Sequence, residues 1–233
     1  MKRDVGVIIV AAGSGSRAAS QGAPAELKQF RWVAGKPMLL HSVQAFMQRE
    51  DVCSVVCVLP RDRVGDPPPW LFQCDVDRLM LSIGGETRTE SVSNGLDDLA
   101  DEAEIVLVHD AARPFVDQET IDRVIHSVRS GRPAIAAVPV VDTIKATNPD
   151  GAITRTIDRE GVWAAQTPQG FSRELIVRAY REARAGGIAP SDDAGLCERL
   201  GITVYVVAGS DRNFKITTEA DFARAEAIAS SHA

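Results

Sequence analysis

The sequence predicts an α/β protein with a mostly parallel sheet and helices on both faces. Apolar strand patterns recur at 5–11, 52–59, 77–83, 105–109, 134–138 and 203–207. Helical patterns lie between several of them, and strands that alternate with helices imply parallel pairing. The first strand also runs straight into a loop of small residues, Ala11-Ala12-Gly13-Ser14-Gly15-Ser16-Arg17, at the strand end where such sheets bind ligands.

Taken along the chain, residues 38–48 carry Leu39, Leu40, Val43, Phe46 and Met47 near the helical period. Residues 62–72 contain Asp66-Pro67-Pro68-Pro69, which continues neither a helix nor a strand and reads as a surface loop. Asp117 is a natural N-cap for a helix over 119–129, whose Ile121, Val124, Ile125 and Val128 form one stripe and which Gly131 ends. Between 138 and 157 two extended stretches flank the turn Asn148-Pro149-Asp150-Gly151, so a hairpin interrupts the parallel design. A lone hairpin is marginal in water, and a second subunit is the expected support for this one. Thr218 with Asp221 marks the start of a C-terminal helix. Residues 1–233 read as one unit, with 138–160 as an arm inserted in it.

Composition narrows the function. The 233 residues are 45% apolar and 25% charged, with a net charge of −6, which argues against a general binder of nucleic acid or anionic membranes. No apolar run approaches the ~20 residues of a membrane span. Met1-Lys2-Arg3-Asp4 leads into a strand without a signal-peptide pattern, and the four cysteines lack metal-ligand spacing. A cytoplasmic protein with reduced thiols is expected. An acidic protein that binds an anion must gather its cations in one place, so single Lys and Arg positions matter.

The first loop is suited to phosphate, because Ala11, Ala12, Gly13, Ser14 and Gly15 leave backbone N–H groups accessible. Arg17 closes it with a fixed cation. Ala18 stands where a dinucleotide fingerprint has its third glycine, a replacement that fingerprint tolerates. Spacing alone therefore leaves an NAD-type site open, though Arg17 inside the loop fits it poorly. Lys28, in Leu27-Lys28-Gln29-Phe30, joins Arg17 in a polyphosphate cradle if the intervening segment folds back. Taken singly, each reads as a solvated surface charge; only together, flanking the glycine loop, do they point to a cradle.

A second strand-to-helix switch, Gly84-Gly85-Glu86-Thr87-Arg88-Thr89-Glu90-Ser91, again permits close backbone approach. Ser91 offers a hydroxyl there, and helix capping is the competing role for Ser91 and Thr89. Asp110 follows the strand Val106-Leu107-Val108-His109, well placed either to ligate Mg²⁺ beside substrate phosphates or to cap its own turn. Pro114 makes Arg113 extended, suited to bracing the loop, and His109 reads as structural ahead of a metal ligand or a base. Lys215, just before the C-terminal helix, is placed to swing into the site of Lys28.

In their order these motifs resemble the 2-C-methyl-D-erythritol 4-phosphate cytidylyltransferase family of the non-mevalonate isoprenoid pathway. The resemblance rests on the first loop, Lys28-Gln29, Gly84-Gly85-x-x-Arg88, His109-Asp110-Ala111-Ala112-Arg113-Pro114, Asp142-Thr143-x-Lys145, Thr167-Pro168-Gln169 and Asn213-x-Lys215-x-Thr217. It spans essentially the whole chain. The segment between Arg17 and Lys28 is longer than is usual in that family, while Lys-Gln-aromatic is intact.

The resemblance implies a Rossmann-like nucleotide-diphospho-sugar transferase fold with a β-arm that interlocks two subunits. It implies transfer of CMP from CTP to the sugar-alcohol phosphate, with Mg²⁺ or Mn²⁺ on Asp110. Arg17, Lys28 and Lys215 would surround the triphosphate as the catalytic cations. Ala11 to Gly15, Gly84, Gly85 and Ser91 would hold cytidine and ribose. Thr143 and Arg159 would reach the acceptor from the partner's arm, with Thr167 and Thr217 lining the same region. A ribitol 5-phosphate cytidylyltransferase or an inactive nucleotide-binding regulator would share the same nucleotide motifs.

Overall fold

The computed structural model describes residues 2–13, 27–186 and 191–230. The chain begins with β1 (Val5–Val10), β2 (Trp32–Val33), β3 (Lys36–Pro37), α1 (Met38–Met47), β4 (Val52–Leu59) and α2 (Arg61–Val64). Next come β5 (Leu79–Ile83), α3 (Arg88–Asp97), β6 (Ile105–Asp110), α4 (Gln118–Arg129), β7 (Ala134–Pro139), β8 (Ile144–Thr147) and β9 (Ile153–Ile157). It continues through β10 (Trp163–Ser172), α5 (Arg173–Gly186), α6 (Asp193–Arg199), β11 (Tyr205–Ala208) and α7 (Glu219–Ser230).

Seven strands form one sheet in the order β11-β7-β10-β6-β1-β4-β5. All neighbours are parallel except β10, which runs antiparallel between β6 and β7. The expected mostly parallel sheet is present, and β10 is an addition to it. That strand lacks an apolar run: Gln166, Thr167 and Gln169 are buried within it, and Pro168 interrupts its pairing.

Alternation along β1 sends Val5, Val7 and Ile9 to one face and Ile8 to the other. The first face packs on Leu39, Val43 and Phe46 of α1 and on the α4 stripe of Ile121, Val124, Ile125 and Val128. The second packs on Val92 and Leu96 of α3, Ile176 and Tyr180 of α5, and Leu196 of α6. Such side chains contribute about 1.5–3 kcal/mol each when fully buried. A third cluster joins Val33 and Met38 to Ile216 and Phe222, which brings the α7 end of the chain against the strand ends.

Asp117 caps α4 by accepting from the Thr120 N–H at 2.6 Å, as its position suggested. Residues 62–72 are not simply a loop: α2 runs through Val64, and a 3-10 turn spans Pro69–Gln73 with Leu71 fully buried. Proline at the first position of a helical turn has no N–H to lose, so the Pro run starts this turn. The expected strand at 203–207 begins only at Tyr205. β8 and β9 pair antiparallel as a separate two-stranded sheet around the Asn148–Gly151 turn. Among the described residues no helix is long and apolar enough to cross a membrane.

Candidate active site

Val10 and Asp110 are register partners at the ends of β1 and β6, so the loops that follow these strands leave the sheet side by side. The loop after β5 joins them because Gly84 donates its N–H to Leu59 O at 2.7 Å. A Cβ on Gly84 would stand 2.2 Å from the Ala12 Cβ, so only glycine lets these loops come this close. A cleft of about 520 Å³ opens here. Ala11, Ala12, Gly13 and Gly85 supply backbone to its wall, and Lys28, Arg88, Asp110, Lys215 and Thr217 supply side chains.

Local contacts explain how these distant residues meet. Gln29, buried in the 3-10 turn Lys28–Phe30, donates to Ala11 O at 2.6 Å and so fixes Lys28 beside the end of β1. The C-terminal loop is held by Ile216 N–H on Ala112 O and by Arg113 Nη1 on Asn213 O, both at 2.8 Å. Arg113 thus braces the loop, and its Nη2 also donates to Ala165 O at 3.2 Å. Held this way, Lys215 Nζ donates to Asp110 Oδ2 at 2.8 Å.

Burial alone would raise the Asp110 carboxyl, but the charges of Lys215, Arg88 and Arg113 outweigh it and hold the group at about 2. Asp110 is therefore ionised throughout the physiological range. Beneath it, the Asp110 N–H donates to Thr167 Oγ1 at 3.0 Å, and that hydroxyl meets His109 Nδ1 at 3.0 Å. His109 Nε2 lies 3.1 Å from Arg113 O, a carbonyl that can only accept, so the proton sits on Nε2 and Nδ1 accepts from Thr167. Burial pushes His109 down to about 4, and the ring is neutral. His109 is a structural link in this chain of bonds, not a base in the cleft. Thr167 is 4% exposed and reaches Asp110 from below, and it is not among the residues of the cleft wall.

The glycine-loop helix is capped by Thr87, which accepts from Glu90 N–H, and not by Ser91 or Thr89. Ser91 instead donates to Thr87 O at 2.9 Å and accepts from Gly85 N–H at 3.1 Å, stiffening the loop at the cleft wall. Thr217 lies at the rim, its hydroxyl donating to Asp221 at 2.8 Å. Thr143 and Arg159 are exposed on the arm and do not line the cleft of their own chain. Ser14, Gly15 and Arg17 lie outside the described residues.

Arg88 is a cleft side chain to which the sequence assigned no role. It pairs with the buried Asp193 and its Nη2 comes within 3.6 Å of Asp110 Oδ1. Its signal was the motif position between the paired glycines and a helix. Asp193 carried no signal, being 105 positions away.

Among the described residues no group of three or more acidic, His or Cys side chains could enclose a metal. Among the described residues Asp110 is the cleft carboxylate that pairs with the cations, Glu86 also lying on the wall. That donor set suits Mg²⁺, which keeps several waters and takes one or two carboxylates plus substrate phosphates.

The 2-C-methyl-D-erythritol 4-phosphate cytidylyltransferase family profile matches residues 5–231. The chain is 40% identical over 235 residues to an enzyme of that description from Syntrophus aciditrophicus, covering 98% of this chain and 97% of the relative. It is 42% identical over 233 residues to one from Streptomyces coelicolor, covering 95% and 83%. The crystal structure of the Thermus thermophilus protein of the same description superposes with a TM-score of 0.78 at 33% identity, covering 99% of this chain and 100% of that one.

Proposed function

The chain belongs to the 2-C-methyl-D-erythritol 4-phosphate cytidylyltransferase family of the non-mevalonate isoprenoid pathway, and from that premise we propose how its cleft works. It transfers CMP from CTP to 2-C-methyl-D-erythritol 4-phosphate, giving 4-diphosphocytidyl-2-C-methyl-D-erythritol and pyrophosphate.

A phosphate oxygen of the acceptor attacks the α-phosphorus of CTP in line. One P–O bond forms as the bond to pyrophosphate breaks. A phosphate monoester is already largely ionised near neutral pH, so the site needs no strong base. It must instead position two anions and relieve charge in the transition state. Lys28, Lys215 and Arg17 take this role, and Arg88 adds a further cation to the wall that Lys28 and Lys215 line. The Ala11–Gly15 backbone, with Gly84, Gly85 and Ser91, holds cytidine and ribose. Asp110 would hold Mg²⁺ or Mn²⁺, which when bound supplies Lewis-acid polarisation of phosphate oxygen.

The acceptor is held by Thr217 and, across a dimer, by Thr143 and Arg159 of the partner subunit. Val141 and Ile153 of the 138–160 arm are 74% and 64% exposed, which supports a partner on this hairpin. The remainder of 1–233 forms one nucleotidyltransferase unit. A cytoplasmic setting is part of the same proposal, supported by four free thiols.

The observation that carries this reading is the Lys215–Asp110 pair facing two glycine loops across one cleft. Pyrophosphate release from CTP and Mg²⁺ with methylerythritol phosphate, ribitol 5-phosphate or no acceptor tests it. Release with methylerythritol phosphate alone is expected. Release with ribitol phosphate alone would overturn the acceptor, and release with neither would overturn turnover itself.

A further inference from the structure

Asp193 is fully buried at the start of α6 and does not line the cleft, yet its carboxylate grips a cleft side chain. Arg88 Nη1 and Nη2 donate to Asp193 Oδ1 and Oδ2 at 3.1 and 2.7 Å, a two-pronged pair of the strong, planar kind. The Tyr180 hydroxyl donates to the same carboxylate. Gln169 Oε1 accepts from the N–H groups of Asp193 and Ala194 at 3.1 and 2.9 Å, while its Nε2 donates to Asp192 at 2.8 Å. Gln169 is the register partner of Val108, two residues before Asp110. The start of α6 is thereby keyed to the strand that carries the cleft carboxylate.

The Arg88 Nη2 that bonds Asp193 at 2.7 Å stands 3.6 Å from Asp110. Among the described residues these are the two carboxylates within salt-bridge reach of Arg88. We propose that Asp193 is a positioning residue: by occupying Arg88, it keeps that guanidinium from closing on Asp110 Oδ1, the oxygen that Lys215 does not bond, and leaves Oδ1 available to a divalent cation. Tyr180 and Gln169 hold Asp193 at that task. The inference rests on the assignment of the cation to Asp110 made above. If Asp193 loses its charge, Arg88 turns to Asp110 and competes with the incoming ion.

The test is Mn²⁺ binding, read by electron paramagnetic resonance with α,β-methylene-CTP present, and the Mg²⁺ dependence of turnover. Asp193→Asn is expected to weaken Mn²⁺ binding and raise the half-saturating Mg²⁺ concentration by roughly fivefold or more, a coupling of ordinary size for groups in contact. Arg88→Gln added to Asp193→Asn removes the competitor and, at saturating nucleotide analogue, binds Mn²⁺ more tightly than Asp193→Asn alone, which a purely structural defect would not do. Unchanged Mn²⁺ binding in Asp193→Asn, or a double variant no better than the single, overturns the proposal. Tyr180→Phe, which leaves the charge in place, covers the case in which Asp193→Asn does not fold. It is expected to weaken Mn²⁺ binding about twofold, and wild-type binding there overturns the proposal equally. Asp110→Asn separates the two readings: if it binds Mn²⁺ like wild type, the cation assignment itself has failed. If it loses Mn²⁺ while Asp193→Asn does not, the role of Asp193 alone has failed.

Discussion

Lys215 Nζ lies 2.8 Å from Asp110 Oδ2, although 105 positions separate the two residues in the chain. The contact needs the α7 loop folded back over β6, which Ile216 and Arg113 secure through backbone carbonyls. Lys215 is 45% exposed, so the pair contributes little to stability, on the order of 0–1 kcal/mol. Its value lies in placing a cation where charge develops. Lys215→Ala should lower kcat by about 10²–10³-fold with the melting temperature nearly unchanged, and Lys28→Ala should act likewise. Near-normal kcat in both variants would end the charge-clamp account.

Thr167 joins the Asp110 backbone to His109 through one hydroxyl. Thr167→Val keeps the shape but leaves the Asp110 N–H and His109 Nδ1 without that partner. Loss of about 1–3 kcal/mol in denaturant unfolding is expected, together with a lower kcat at an unchanged KM for CTP. A raised KM with normal kcat would instead make Thr167 a substrate contact.

The neutral His109 makes stability pH-dependent. Its folded value is about 4 against an ordinary 6.5, so between these values the unfolded chain binds the extra proton. Stability then rises with pH: the contribution is complete above 6.5 and is lost as pH falls from 6.5 to 4, by about 3 kcal/mol in total. His41, also lowered by burial, acts in the same sense. Asp110, at about 2 against 3.8, adds a second loss only below 3.8. Urea unfolding of wild type and His109→Gln from pH 7.5 to 4.5 checks this. A wild-type slope in His109→Gln would refute the assignment.

Gly84→Ala would force its Cβ to within 2.2 Å of the Ala12 Cβ and 3.0 Å of Leu59 O. The two loops must separate, which should weaken CTP binding by tenfold or more while the rest of the sheet persists. Calorimetric titration with CTP, beside circular dichroism of the folded state, reads both effects. Unaltered affinity would mean that the loop spacing is not what CTP recognises.

The shared-site proposal predicts complementation. Arg159→Ala and Lys215→Ala subunits, each inactive alone, should recover activity when co-expressed, because one of the mixed dimer's two sites then has both residues intact. A mixed dimer isolated with two affinity tags and still inactive would place both residues in one chain's site.

Much of the fold was legible because parallel strands buried on both faces read as nearly continuous apolar runs, as β1 and β4 do. The hairpin was legible from Asn148-Pro149-Asp150-Gly151, since turn residues carry their own backbone preference. β10 was not, because its buried Gln166, Thr167 and Gln169 are satisfied by partners far along the chain: Ser210, His109 and Asp192. The Pro69 turn was missed for a related reason, that Leu71 becomes a core residue only once a surface exists to receive it.

The sequence by itself determined the alternating α/β plan, the glycine loops and the hairpin turn, because these depend on local residue chemistry, and its ordered motifs carried the family resemblance. Tertiary structure alone decided that Thr87 rather than Ser91 caps α3, that Thr167 and His109 stand beneath Asp110, and that Asp193 holds Arg88. Each of these depends on which partner a polar group finds when water is excluded, and burial sets that choice across distances that no local pattern encodes.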